Sequence, residues 1–239
     1  MSDLHATATA NTVLTSPASS GASGDDAAGV AETRSRDADR SQQIILEAAT
    51  REFSEHGLGG ARMDRIAERA QVNKRLIYYY FGNKESLFLA VLEQAYVQIR
   101  EAETRLQLTD LPPIEAVRQL TRFTWNYFVE HPEFMALLNV ENLQGAQHLR
   151  RSSRVQQTNF SLIQILEQVL ARGQAQGIFR AGVDAMQLYI SIAGISYFYL
   201  SNHATLSTIF DRELMSPSAR EARLMHVTDV ILGYLRNDS

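Results

Sequence analysis

Residues 62–84 read RMDRIAERAQVNKRLIYYYFGNK, and this stretch decides the fold of the N-terminal part of the chain. Ile66 and Ala70 recur at helical spacing and predict a short helix with one buried face. After a short break, Asn73 is a good N-cap for a second helix over residues 74–80, because its side-chain oxygen can accept hydrogen bonds from the first turn. Two short helices joined by a tight corner predict a helix-turn-helix, whose second helix enters the major groove of DNA.

This stretch is basic within an acidic chain. Six basic and two acidic residues give it a net charge of +4, whereas the whole 239-residue chain carries −4. The chain has two lysines, Lys74 and Lys84, and both lie here. Arg65 and Arg69 are expected to pair with nearby acids on a solvated helix face. The remaining charge supports DNA binding, because phosphate contacts by Lys and Arg dominate affinity for DNA.

Composition excludes several kinds of site. The chain has no cysteine, so disulfides, thiolate metal sites and cysteine catalysis are ruled out. Its six histidines lack the close spacings of metal-binding motifs, and we expect neither a metal nor a cofactor. Because no apolar run is long enough to span a membrane and the start lacks a secretory pattern, we expect a cytoplasmic protein with no membrane partner.

Residues 66–92, IAERAQVNKRLIYYYFGNKESLFLAVL, resemble the DNA-binding domain of the tetracycline-repressor (TetR) family of regulators. The resemblance covers about residues 40–95 and includes the pattern AATREFSEHG at residues 48–57. It departs at Gln71, where the family usually has Gly, and at Arg62, where it usually has Ser or Thr. The resemblance implies a homodimer that binds a palindromic operator in double-stranded DNA and responds to a small-molecule effector.

The second helix of the motif has one face for the core and one for DNA. Its spacing turns Ile77, Tyr80 and Phe81 towards the headpiece core. Arg75 is then best placed for bidentate recognition of guanine, and an exposed Leu76 for packing on a thymine methyl. The residues predicted to contact DNA are Arg62, Asn73, Lys74, Arg75, Leu76, Tyr78, Tyr79 and Lys84, with Tyr79 and Lys84 as phosphate contacts by resemblance to the family.

The predicted fold class is all-α, because no run of alternating strand residues appears. An N-terminal three-helix helix-turn-helix headpiece precedes a C-terminal helical bundle for ligand binding and dimerisation. The predicted divisions are a disordered tail (1–37), the headpiece (38–84), a connecting helix (85–110) and the ligand-binding and dimerisation domain (111–239). Arginines at the end of the tail either form an arm for the minor groove or keep a helix entrance solvated.

Polar and aromatic residues in the apolar C-terminal helices are candidates for an effector site, because such sites are mostly apolar with a few placed polar groups. Alternatively, each simply satisfies a neighbour inside the bundle. The segment EHPEFMALLNVENLQG (130–145) resembles regulators of nitrogen-heterocycle breakdown, which implies a flat aromatic effector such as a nicotinate or pyrimidine derivative. The candidate ligand-binding residues are Trp125, Asn126, Phe128, Asn139, Asn142, Gln168, Tyr189 and Tyr197.

Two helices are candidates for the dimer interface. The helix over residues 184–202 is apolar almost all round, beyond what one core face needs. The last helix presents Leu224, Val227, Ile231 and Leu235, and together the two helices predict a four-helix interface between copies. The alternative is that both helices are buried within one subunit.

The predicted function is therefore a sequence-specific transcriptional repressor that a small-molecule effector releases from DNA. An activator is an alternative, because the sequence does not place the operator relative to a promoter. An all-α enzyme that uses Glu141 with His131 or His203 is a second, but no motif sets a nucleophile beside a base. A protein-interaction module without DNA binding is a third, and the basic residues of the second motif helix argue against it.

Overall fold

The structure is a computed structural model and describes residues 25–237. Ten α-helices form most of this range. Within this range one isolated bridge, between Phe179 and Arg236, is the sole β interaction, so the predicted all-α class is confirmed. The helices are α1 (Asp25–Gly60), α2 (Met63–Ala70), α3 (Lys74–Phe81), α4 (Lys84–Thr104), α5 (Pro113–Glu130), α6 (Pro132–Leu143), α7 (Ser153–Ala175), α8 (Ala185–Ser201), α9 (His203–Phe210) and α10 (Pro217–Leu235).

The first helix is longer than the sequence suggested. It begins at Asp25 rather than near Ala38, because the Ala, Glu and Arg residues ahead of Ala38 are strong helix formers. The arginine-rich end of the predicted tail is therefore helical, and residues 1–24 of that tail lie outside the described residues. Gly57 interrupts the helix with a φ of 65°.

The headpiece packs helices α1 to α4 around one apolar core. Phe53, Ile66 and Phe88 are fully buried there, and the rings of Phe53 and Phe88 meet edge to face at 5.1 Å. Ile77 is fully buried in the same core, while Tyr80 and Phe81 pack against it. The predicted inward face of α3 is thus confirmed, and its other face is left for solvent.

The corner between α2 and α3 is left-handed. Gln71 has φ 54° and ψ 38°, and the amides of Gln71 and Val72 close the end of α2 on the carbonyls of Glu68 and Ala67. A left-handed conformation costs a residue with a side chain roughly 1–2 kcal/mol, which explains why the family usually has glycine here. The corner keeps its geometry with Gln71, so the surrounding core offsets this strain.

The C-terminal part has two further apolar clusters. Val117, Leu166 and Ile192 belong to the bundle core of α5, α7, α8 and α10. A second cluster, here called the aromatic cluster, joins α4, α5, α6 and α8 and is formed by Ile99, Trp125, Tyr127, Phe128, Phe134, Met135, Tyr199 and Leu200.

Two features of the C-terminal part have local causes. Helix α7 begins at Ser153, after a 3-10 turn over Leu149–Arg151, because the Ser152 side chain accepts a hydrogen bond from the amide of Val155 and caps α7. Helix α9 was not expected. Its apolar side chains Ile209 and Phe210 are exposed, so its sequence carries no clear buried stripe.

Candidate functional site

Helix α3 presents a small exposed surface around Arg75. The Arg75 side chain is exposed and forms no ion pair within the described part of the chain. Tyr78 and Tyr79 extend beside it, with 43% and 80% of their surface accessible. Leu76, which we expected to be exposed, is half-buried and packs against the headpiece core. Leu76 is therefore less accessible than the sequence suggested.

Three other predicted DNA contacts already have partners. The Asn73 side chain accepts a hydrogen bond from the Arg75 amide at 2.8 Å and caps α3, as predicted. Lys74 Nζ lies 2.8 Å from Asp64 Oδ1, and this hydrogen bond raises the pKa of Lys74. Lys84 Nζ donates to the carbonyl of Ala61 at 3.3 Å. Because Ala61 precedes Arg62, this contact holds the ammonium of Lys84 close to the start of α2.

A carboxylate from α1 replaces the missing hydroxyl cap of α2. Arg62 at the N-cap has no capping side chain of its own, but its amide donates to Glu52 Oε1 at 2.9 Å. Arg65 Nε donates to the same oxygen at 2.7 Å, and the Glu52 side chain is fully buried. Burial opposes ionisation of Glu52, but the hydrogen bonds from Arg62 and Arg65 outweigh it and lower its pKa. The negative charge also stabilises the positive end of the α2 dipole.

The pairing predicted for Arg65 and Arg69 is confirmed. Arg65 binds Glu52, and Arg69 Nη2 lies 2.5 Å from Glu55 Oε2. Glu52, Glu55 and His56 also bring their ligand atoms within 4.8 Å of one another, which is a spacing that a metal ion accepts. Because both carboxylates are already neutralised by arginines, this cluster is best interpreted as an ion-pair network that joins α1 to α2.

The predicted ligand-binding residues separate into two groups. Trp125 and Phe128 are buried in the aromatic cluster, Tyr197 packs against it and donates to the Asn139 amide oxygen, and Tyr189 is half-buried on α8. The other group is exposed and is not brought to a common interior site: Asn126, Asn139, Asn142 and Gln168. The structure therefore places the aromatic members of the predicted set inside or partly inside the bundle and the amides at its surface.

A charged cluster that the sequence did not reveal lies beside these aromatic residues. Arg100 and Glu103 of α4 are 7% and 3% exposed. Arg100 Nη1 lies 2.7 Å from Glu103 Oε2, and Arg100 Nη2 donates to the Tyr189 hydroxyl of α8 at 2.5 Å. The guanidinium carbon also lies 5.1 Å from the centroid of the Tyr189 ring. One arginine thus holds an acid from its own helix and a phenol from another.

The pKa values of this cluster reflect its burial. Burial raises the pKa of Glu103 to about 7, although the charge of Arg100 opposes the shift. Burial also raises the pKa of Tyr96 and of Tyr127 to about 12 and moves that of Tyr189 upward. Glu103 is consequently divided between its acid and carboxylate forms near neutral pH, which is unusual for a carboxyl group beside an arginine.

Two sequence profiles and a set of known proteins match this chain. The profile described as "Bacterial regulatory proteins, tetR family" covers residues 45–91, and the one described as "Tetracyclin repressor-like, C-terminal domain" covers residues 113–231. The HTH-type transcriptional repressor NicS of Pseudomonas putida is 39% identical over 203 residues, which is 85% of this chain and 96% of NicS. The chain belongs to the TetR family. Its members are DNA-binding transcription regulators and not enzymes.

Solved TetR proteins share the fold at low sequence identity. FadR of Bacillus subtilis, crystallised with stearoyl-CoA, has a TM-score of 0.63 and 17% identity, with 81% of this chain and 99% of FadR covered. AibR, in complex with isovaleryl coenzyme A and operator DNA, has a TM-score of 0.58 and 18% identity, with 82% of this chain and 98% of AibR covered. These likenesses establish the architecture of the TetR chain.

The contacts that the enzyme alternative required do not form in this TetR protein. Glu141 binds His148, with 2.7 Å between Oε2 and Nδ1, and its Oε1 accepts hydrogen bonds from the backbone amides of His148 and Leu149. His131 Nδ1 lies 3.0 Å from Glu133, and His203 Nδ1 lies 2.7 Å from the carbonyl of Leu200. The buried Glu141 therefore closes the loop after α6 and pairs with neither His131 nor His203.

Helices α8 and α10 of the TetR chain carry a set of exposed apolar side chains. Val227, Ile231 and Leu235, which we expected at a dimer interface, are buried in the bundle core of one subunit, so this assignment was wrong. Other residues of α8 and α10 lie on the outward faces of these helices. The exposed apolar side chains of these helices are Met186, Ile190, Phe198, Met225, Val230 and Tyr234.

A cleft of about 680 Å³ lies between α1, α4 and the corner of α5 and α6. Arg51, Gln94, His131 and Glu133 contribute polar groups to its walls, while Phe134 contributes to an apolar surface. None of the eight candidate ligand residues lines it. Among the described helices, none combines the length and the apolar character that a membrane span requires.

Proposed function

We propose that this protein is a cytoplasmic repressor that binds a palindromic operator as a homodimer and is released from it by a small-molecule effector. The exposed face of α3 carries the proposal, because buried Ile77 fixes the helix while Arg75, Tyr78 and Tyr79 stay accessible. An exposed arginine near the N-terminus of a recognition helix suits base edges in the major groove. The name of NicS as a repressor supports repression rather than activation.

The contacts around α3 divide by role in this proposal. Arg75 reads a base, whereas Arg62, Tyr79 and Lys84 bind phosphates and set register. The hydrogen bond from Lys84 to Ala61 supports this, because it holds the ammonium beside Arg62 at the positive end of α2. Lys74 would have to exchange Asp64 for a phosphate, which makes it the weaker candidate.

The exposed apolar residues of α8 and α10 are the proposed dimer interface. Met186, Ile190 and Phe198 follow one another at intervals of one or two helical turns, and Gly194 lies on the same stripe with open space around its α-carbon. Small residues on such a stripe let two helices approach closely. A two-fold interface of this kind would hold two copies of α3 about one turn of DNA apart.

The effector is proposed to be an aromatic or N-heterocyclic catabolite, such as a nicotinate or pyrimidine derivative. The rings of the aromatic cluster support this class, because Phe128 and Phe134 stack at 6.0 Å and Trp125 lies 5.6 Å from Tyr199. Interior ring faces of this kind bind flat ligands. Release of DNA is limited by the difference between the effector affinities of the two protein states.

Operator binding by matched variants tests the proposal. Fluorescence anisotropy with fragments from the gene's own upstream region should show specific binding that weakens steeply with salt. Arg75→Ala should cost about 1–3 kcal/mol and relax base preference at one operator position. Lys84→Ala should weaken all sequences alike, and Arg122→Ala, at an exposed arginine on α5, should leave binding unchanged.

Two outcomes would contradict the proposal. If the wild-type protein shows no specific binding at physiological salt, the assigned function is wrong. If Arg75→Ala and Lys84→Ala both weaken every sequence equally, the protein binds DNA but the division between base-reading and phosphate-binding residues is wrong.

A further inference from the structure

Arg100 has more hydrogen-bond donors than the protein gives partners. Its Nη2 donates to Tyr189, but neither its Nε nor its Nη1 has a hydrogen-bond partner among the described residues, although Nη1 lies 2.7 Å from Glu103 Oε2. Neither carboxylate oxygen of Glu103 has a hydrogen-bond partner either. Buried polar groups in folded proteins are almost always satisfied, so an arginine more than nine-tenths buried with a free donor indicates a missing partner.

The surroundings of Arg100 define the shape of that partner. Tyr96 precedes Arg100 by one turn of α4, and its ring lies 5.7 Å from that of Phe134. Tyr127 of α5 lies 5.8 Å from the same Phe134 ring. Arg100 also interacts electrostatically with Tyr96 and Tyr127, and it binds the hydroxyl of Tyr189 directly. The neighbourhood of Arg100 is therefore rich in aromatic rings.

We propose that Arg100 binds the carboxylate of a flat aromatic acid, which is the effector of the repressor, while Tyr189 positions the guanidinium and Glu103 sets how available it is. This inference rests on the proposed function. The fork of a guanidinium matches a carboxylate with two parallel hydrogen bonds, and a buried pair of this kind selects strongly against neutral analogues. Among aromatic and heterocyclic compounds the site therefore favours carboxylic acids over uncharged pyrimidines or amides.

Glu103 controls how available Arg100 is. The ionisable groups that act on it are Arg100 on α4, Tyr127 on α5 and Tyr189 on α8. When Glu103 is ionised it competes with a bound carboxylate for the guanidinium. When it is protonated it leaves Arg100 free and can itself donate to the ligand. Affinity for the acid should consequently decrease as pH rises from 6 to 8.

The position of the pair links this site to DNA. Arg100 and Glu103 lie on α4, and the same helix begins at Lys84, a proposed phosphate contact. An acid that pulls the guanidinium away from Glu103 changes the packing of α4 against Tyr189 of α8. The protein with the acid bound and the protein without it would then differ in how α4 packs, and the effector can favour one of these two states.

Matched acid and amide probes test the proposal on the full-length protein. The probes are pyridine-3-carboxylate and benzoate, each compared with its own amide. Binding is followed through Trp125, which is the single tryptophan and lies in the aromatic cluster, and operator release is followed by anisotropy. The acids should bind on the order of 100-fold more tightly than the amides, because the amides leave a buried guanidinium unpaired.

Variants separate this site from the rest of the protein. Arg100→Gln should lose about 100-fold in acid affinity while operator affinity is unchanged. Arg105→Gln, at an exposed arginine just after α4, should keep both the acid affinity and the operator affinity of the wild type. Glu103→Gln retains Arg100 and should bind the acid with an affinity that no longer depends on pH between 6 and 8.

The inference is overturned if the amides bind as tightly as the acids, if neither acid binds, or if folded Arg100→Gln keeps acid binding. Should Arg100→Gln fail to fold, Glu103→Gln decides the question, and an unchanged pH dependence refutes the role of the pair. Failure of the wild-type protein to bind its operator would instead refute the proposed function, since the fluorescence titration still reports on the acid.

Discussion

Glu52 in the headpiece and Glu103 in the C-terminal part are both buried carboxylates beside an arginine, yet their surroundings differ. Glu52 Oε1 accepts hydrogen bonds from the backbone amide of Arg62 and the side chain of Arg65, and the pKa of Glu52 is lowered. Glu103 lies against Arg100 without a hydrogen bond of good geometry, and its pKa is raised to about 7. The same residue type beside the same partner type therefore experiences opposite electrostatic environments.

We interpret the difference as that between a charge that stabilises the fold and one that is proposed to act in effector binding. The hydrogen bonds of Glu52 close a helix end and join α1 to α2, so the folded state depends on its negative charge. Glu103 contributes no comparable bond, and burial of an ion pair without such bonds costs more than the attraction returns. Retaining such a pair is expected where another molecule completes it.

Apolar replacement of Glu52 should produce the largest effect. Glu52→Leu leaves the Arg62 amide without an acceptor and removes the partner of Arg65. We expect a loss of about 3–5 kcal/mol in the free energy of unfolding, measured by urea denaturation. The matched variant Glu55→Leu, at an exposed acid paired with Arg69, should change stability little. Equal losses in the two variants would mean that the cap is unimportant.

Apolar replacement of Arg100 and Glu103 should instead raise the free energy of unfolding. Arg100→Met combined with Glu103→Leu removes both charges and keeps the volume. We expect stability to rise by about 1–4 kcal/mol, as buried ion pairs replaced by apolar residues often show. The double variant should also lose any response to aromatic acids. A loss of stability similar to that of Glu52→Leu would make the pair structural.

The pH dependence of stability should show the smallest of the three effects. The folded pKa of Glu103, about 7, lies above its unfolded value of 4.5, so its contribution is greatest below pH 4.5 and is lost as pH rises towards 7. Between pH 5 and 8 the wild-type protein should lose about 2 kcal/mol relative to Glu103→Gln. The lowered pKa of Glu52 places its own titration below this range. Parallel stability curves would contradict the raised pKa.

Much of the headpiece could be predicted from the sequence because its signals are local. The inward face of α3 follows from helical spacing at Ile77, Tyr80 and Phe81, and the cap at Asn73 follows from residue type. The unusual corner at Gln71 was visible as a departure from glycine. Its left-handed backbone was not, because only packing decides whether a strained conformation is kept.

The burial of Glu52 and Glu103 could be predicted from the sequence, but the partner of Arg100 on another helix could not. Glu52 falls in the stripe of Ala49 and Phe53, and Glu103 falls one turn after Ile99, so both stand at core positions of their helices. A charge inside a buried stripe was a usable signal that the sequence reasoning passed over. The partner Tyr189 lies on α8, far along the chain, and only the three-dimensional packing brings it to Arg100.

The distribution of amines has a chemical consequence for the proposed regulator. Its two lysine side chains, at Lys74 and Lys84, both lie on the surface assigned to DNA, whereas the proposed effector site uses a guanidinium. Acylation of lysine removes positive charge. An amine-specific acylating agent would therefore weaken the hold on DNA while sparing the groups that recognise the effector, and the two activities of one chain become separable by reagent rather than by mutation.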